Sequence, residues 1–155
     1  MIRYYSLDYL SEIQSNTSKK AAGKITYRGT IPHHDLLTYY QNSNIFLFPS
    51  VWEEPFGIPP IEAMSCGIPV VATKSGGIKE TVDNGKTGIL VEPGDPEGLA
   101  QAIISLLEDR TLRESMGKAG RKRVANYFSF EKIVEELETM YKKLLKHTTK
   151  NQNGL

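Results

Sequence analysis

A chain of 155 residues, 39% hydrophobic and 24% charged, reads as one soluble globular domain large enough for its own core. Its formal net charge of +1 offers no field to steer nucleic acid, and its single cysteine, Cys66, excludes an internal disulfide and fits a reducing compartment. No apolar run approaches the ~18 residues of a membrane span and no signal-peptide core opens the chain, so a cytoplasmic protein is expected.

Tyr5, Tyr9, Leu10 and Ile13 recur at roughly helical spacing over 5–15, and the polar, Lys-rich stretch 16–24 reads as a loop. Lys24 to Gly29 predicts a short strand, centred on 25–28. His33 to Gln41 holds Leu36, Leu37, Tyr39 and Tyr40 and predicts an amphipathic helix, with Tyr39 and Tyr40 in the core. Asn44 to Phe48 is a continuous apolar strand stopped by Pro49-Ser50. A helix over 59–65 follows, ended by Cys66-Gly67, with Cys66 a small packing residue beside it. Ile68 to Ala72 is a buried strand, 78–82 a short helix after Ser75-Gly76-Gly77, and Thr87 to Val91 a further strand after the Asn84-Gly85 turn.

Asp95 is positioned to cap the next helix, with Pro96 in its first turn. Leu99, Ile103, Leu106 and Leu107 make its apolar face, and Leu112 and Met116 continue in a second, short helix. Ser129 caps a third, in which Phe130, Ile133, Leu137, Met140, Tyr141, Leu144 and Leu145 should face inward. Residues 1–146 are read as one domain and 147–155 as a disordered polar tail. Short apolar strands alternating with helices predict an α/β fold, a Rossmann-like parallel sheet with flanking helices. In such sheets ligands bind beyond the carboxyl ends of the strands, where the loops 49–58, 73–77 and 92–95 gather.

The informative segment runs from Glu54-Pro-Phe-Gly-Ile-Pro-Pro-Ile-Glu62 into Ala-Met-Ser-Cys-Gly-Ile-Pro-Val-Val-Ala. Glu54 and Glu62 are separated by seven residues, one in a loop and one early in a helix. A helix N-terminus offers unpaired N–H groups and positive dipole to an anion, and carboxylates accept hydrogen bonds from hydroxyls. Together they describe a receptor for a nucleotide sugar. Pro59 and Pro60 cannot donate, which confines anion contacts to N–H groups at or before Ile58 or after Pro60. The bland alternatives are solvated or capping carboxylates for Glu54 and Glu62, and a plain turn for Gly76 and Gly77. Glu53 reads as a solvated neighbour, and Trp52 and Phe56 divide evenly between site wall and ordinary packing. His33, His34 and His147 show no metal-ligand spacing, and no Gly-x-Gly-x-x-Gly follows the first strand, which weakens a dinucleotide-dependent oxidoreductase.

With that two-Glu segment, Ala63-Met64, Gly67-Ile-Pro-Val-Val-Ala72, Gly76-Gly77, Glu80 and Gly88-Ile-Leu-Val91 resemble the C-terminal, donor-binding domain of GT-B glycosyltransferases, in particular the family-4 retaining enzymes. The resemblance covers about residues 5–145. It implies transfer of a glycosyl group from a nucleotide-diphosphate sugar with retention, without a metal or other cofactor. Glu54 faces the hydroxyls of the transferred sugar in this reading. The N–H groups of Phe56, Gly57 and Ile58 lie against sugar and diphosphate, and Glu62 binds the ribose hydroxyls. Gly76 and Gly77 let main chain approach the ligand. The leaving diphosphate is stabilised electrostatically, and Glu54 is not a glycosidase-type nucleophile.

Two parts of the family pattern have no match in the chain: the first strand and loop, with its Arg and Lys clamp, and the N-terminal acceptor-binding domain. A partial domain lacking its first strands is therefore expected, needing the missing domain or another chain to complete it. Its acceptor, whether glycan, lipid or small molecule, is not legible. Lys74 and Lys79 read as exposed lysines rather than a replacement clamp. Lys142, Lys143 and Lys146 read as the wet face of the last helix rather than a weak contact with an anionic membrane surface. The alternative function is a non-catalytic nucleotide-sugar-binding or structural module with a vestigial site.

Overall fold

The computed structural model describes residues 11 and 15–152, in two units divided between His33 and His34. The expected helix over 5–15 falls mostly outside the described residues.

In the first unit, α1 (Lys19–Ala22) occupies the stretch expected to be a loop. Ser18 explains it, because its hydroxyl accepts a hydrogen bond from the Ala21 N–H at 3.3 Å and so caps the turn. The strand expected over 25–28 does not form, and residues 25–29 have no regular structure. Ile25 and Tyr27 alternate as a strand would require, but both are exposed, at 56% and 61%. Alternation makes a strand only where a neighbouring ladder accepts it.

The second unit carries the sheet. After α2 (His33–Gln41), β1 (Phe46–Phe48) leads through α3 (Ile58–Ser65) to β2 (Val70–Thr73), and α4 (Ile78–Thr81) leads to β3 (Gly88–Val91). The three strands pair in parallel in the order β1-β2-β3, with Phe46 opposite Val70 and Val70 opposite Gly88. All four residues of β2 are buried, because it is central and covered on both faces.

The strand period of two divides the core. Val70 and Ala72 face a cluster with Ala63, Met64, Ile78 and Val82, while Val71 faces Ala102, Leu106 and Met116 on the other side. Tyr40 packs against the first cluster, whereas Tyr39 is exposed, against expectation. Leu47, on the edge strand, is also left partly uncovered.

Asp95 caps α5 (Pro96–Glu108) through the Gly98 N–H at 2.9 Å, as its position before Pro96 predicts. Leu107, expected on the buried face, is exposed. The short helix expected around 112–116 is longer: α6 runs Arg110–Tyr127, started by Asp109, which accepts from the Leu112 N–H at 2.8 Å. Gly117 permits its close packing, since a Cβ there would overlap the Gly67 carbonyl.

The last helix, α7 (Phe130–Gln152), differs from expectation in two respects. It continues through 147–152, which the sequence assigns to a polar tail. The stripe expected to face inward is exposed, from Leu137 at 44% to Phe130 at 78%. Amphipathic spacing marks a face able to be buried, and burial requires a partner surface. The Lys142 ammonium pairs with Glu138 at 3.0 Å on the wet face, and the Lys146 side chain lies outside the described ones. No helix among the described residues is long and apolar enough to cross a membrane.

Candidate functional site

Parallel strands deliver their following loops to one edge of the sheet, and here those loops bind one another. The Gly77 N–H donates to the Glu54 carbonyl at 2.7 Å, joining the loop after β2 to the loop after β1. The Lys74 N–H donates to the Val91 carbonyl at 2.8 Å, and the Lys74 ammonium pairs with Glu92 at 3.0 Å, joining the third loop. That ion pair is solvated and of small energetic weight, ~0–1 kcal/mol. Beside the loops, Pro49, Thr73, Val91 and Leu99 line an apolar hollow of about 180 Å³.

Gly76 and Gly77 have a packing role in addition to the ligand approach the sequence favours. A Cβ at Gly76 would overlap the Glu54 backbone, and one at Gly77 would overlap the Pro55 carbonyl. Their missing side chains accommodate protein main chain, seating the 75–77 loop against 54–56. Gly57 is constrained as well. It ends the loop at φ +84°, a left-handed conformation, and a Cβ would meet the Ile78 side chain.

Glu54 is half-buried. Its Oε1 accepts from the Ser50 hydroxyl and the Trp52 indole N–H, both at 3.1 Å. Its Oε2 accepts no hydrogen bond among the described residues. The carboxylate is thus held by one oxygen and available by the other. The Trp52 ring beside it is exposed. Phe56 packs edge-on against Phe128, with ring centres 5.8 Å apart and planes at 80°.

Helix α3 starts at Ile58 with Gly57 as its N-cap, and no side chain caps it. Among the described residues, the N–H groups of Phe56, Gly57 and Ile58 have no hydrogen-bond acceptor, and Pro59 and Pro60 have none to offer. This concentrates an anion-seeking potential on three consecutive amides.

Glu62 is not a first-turn acid of α3, as its bland reading required, but sits in the second turn. Its carboxylate accepts from the Tyr40 hydroxyl on α2 at 2.9 Å. Burial, and then the Glu62 carboxylate, push the Tyr40 phenol well above the ordinary tyrosine value. Tyr40, expected only in the core, thus orients one of the two motif carboxylates. Glu54 forms no ion pair among the described residues.

Glu54, Phe56, Gly57, Ile58, Gly76 and Gly77 are brought together by direct main-chain contact, with Glu62 on the following turn of α3. Ser50, Tyr40, Arg123 and Phe128 were not legible as parts of this region. Only the tyrosine at a helix end gave a signal, and it has the same appearance as a core residue. Cys66 is the half-buried residue that ends α3, in keeping with a packing role.

The model of the family "Glycosyl transferases group 1" matches residues 9–123. Over 114 residues the chain is 46% identical to the capsular polysaccharide biosynthesis glycosyltransferase CapM of Staphylococcus aureus, covering 74% of this chain and 30% of that protein. Sucrose-phosphate synthase from Thermosynechococcus elongatus superposes with a TM-score of 0.78 at 37% identity, over 90% of this chain and 35% of that one. Anabaena HepE in complex with UDP superposes at 0.79 with 26% identity, over 88% of this chain and 37% of that one. HepE is also known in complex with UDP-glucose. The chain spans about a third of the length of these relatives.

Proposed function

The chain belongs to the glycosyl transferases group 1 family and has the parallel sheet and flanking helices of a GT-B fold, and from that premise we propose that it supplies the donor-binding half of a retaining glycosyltransferase. The donor is a nucleotide-diphosphate sugar. The Phe56, Gly57 and Ile58 amides receive the diphosphate, Glu54 receives hydroxyls of the transferred sugar, and Glu62 receives the ribose. The observation that carries this reading is the Glu54 carboxylate, anchored at Oε1 and open at Oε2, one proline before three amides that find no acceptor among the described residues.

Transfer breaks the bond between the anomeric carbon and the diphosphate oxygen, and the acceptor oxygen bonds to that carbon on the same face. The site assists by stabilising charge on the leaving diphosphate, the larger part of catalysis in transfers of this kind. No metal takes part in the proposal. Glu54 orients the sugar and forms no covalent intermediate.

HepE is a solved relative whose complexes hold UDP and UDP-glucose, so uridine is the first base to test. Calorimetric titration with nucleotide diphosphates and their sugars should give saturable binding of at least one. No heat at millimolar ligand would instead favour a structural module with a vestigial site. The 155-residue chain should show little or no sugar transfer by itself, since the reaction requires both reactants to be positioned. Turnover by the purified chain would contradict a donor-binding half.

A further inference from the structure

We propose that Arg123, far from the site in sequence, is a positioning residue that sets the Glu54–Ile58 loop through two separate supports. Its Nε donates to the Thr81 carbonyl at 2.9 Å and its Nη2 to the Glu80 carbonyl at 2.6 Å. These are the carbonyls at the end of α4, which a helix of four residues leaves without intrahelical donors. At its other end α4 is preceded by Gly77, whose N–H donates to the Glu54 carbonyl at 2.7 Å. The first support therefore runs from the guanidinium through one rigid turn to Glu54.

The second support is aromatic. The same guanidinium lies over the Tyr127 and Phe128 rings, at 5.4 and 5.7 Å from their centres. Phe128 meets Phe56 edge-on at 5.8 Å. The two supports leave one side chain and arrive on either side of Pro55.

The geometry needs arginine. A planar fork reaches two adjacent carbonyls while its face covers a ring, whereas a lysine ammonium can satisfy one demand or the other. Both supports end on the residues whose amides and carboxylate form the candidate site. The structural claim stands without the donor reading, and only its consequence for binding rests on it.

The test is residue-resolved hydrogen–deuterium exchange on the wild-type chain, Arg123→Lys and Phe128→Leu, with Phe128→Tyr as the conservative rescue. Loss of hydrogen bonds from a charged donor should raise exchange at Gly77 about tenfold or more in Arg123→Lys, while Val71 in the central strand is unchanged. Fluorescence of Trp52, the chain's one tryptophan, should shift in Arg123→Lys and Phe128→Leu and return in Phe128→Tyr. Calorimetry with UDP should show the same order of weakening. Unchanged exchange at Gly77, or an equal rise at Gly77 and Val71, would overturn the proposal. If Arg123→Lys does not fold, Phe128→Leu decides alone: an unmoved Trp52 signal rejects the aromatic support. Wild-type chain that binds no UDP, with exchange still moving at Gly77, would reject the donor reading and leave the positioning role intact.

Discussion

Tyr40 carries two demands on one side chain. Its ring fills the first core cluster against Phe46, and its oxygen donates to Glu62. Tyr40→Phe keeps the ring and removes the donor, so it should lower stability by ~1 kcal/mol, measured by urea denaturation. The pH dependence has a definite sign. The phenol is raised above its unfolded value of about 10, so the folded state retains a proton that the unfolded state releases. Stability from this group is complete below that pH and is lost as pH rises beyond it. Tyr40→Phe should show a shallower alkaline loss than wild type. Gly77 makes an equally sharp case, because a methyl group there has to displace the Pro55 carbonyl. Gly77→Ala should cost ~1–3 kcal/mol through overpacking. A thermal midpoint like that of wild type would show that the two loops can part cheaply.

At the scale of elements, β2 and α5 were legible for physical reasons. Val70 to Ala72 is a continuous apolar run flanked by turn residues, and Asp95-Pro96 is a local start signal that needs no tertiary help. The segment 25–29 and the α7 stripe were not, because each depends on a partner surface that local pattern cannot reveal. Tyr27 alternates correctly without becoming strand, and Leu137 keeps helical spacing without becoming buried. The length of α6 was hidden for another reason. Gly117 and Gly120 are poor helix formers by intrinsic propensity, yet both are buried where α6 packs closely. The cap of α5 gives the simplest check. Asp95→Ala removes the acceptor of the Gly98 N–H and should destabilise the chain by ~1 kcal/mol in denaturation. A loss well below half that value would place the start of α5 under tertiary control.

For the whole molecule, the topology explains why residues distant in sequence act together. Three parallel strands send their loops to one edge, where Gly77 bonds Glu54 and Lys74 bonds Val91. The Glu54–Glu62 segment stands out in the sequence as a candidate site, since its carboxylates and prolines lie within one stretch of chain. The seating role of Gly76 and Gly77, and the orienting bond from Tyr40, were not, because both arise from contacts between elements. Family membership accounts for the transferase scaffold, of which this chain spans about a third. The central claim concerns the division of labour between the two carboxylates.

Paired calorimetric titrations with UDP and UDP-glucose, on wild type, Glu54→Gln and Glu62→Gln, test that division most directly. Each shielded carboxylate–hydroxyl bond should contribute ~1.5–3 kcal/mol. Glu54→Gln should weaken UDP-glucose and leave UDP nearly unchanged, whereas Glu62→Gln should weaken both alike. Equal losses for UDP and UDP-glucose in Glu54→Gln, or unaltered affinity for both ligands in Glu62→Gln, would contradict the account.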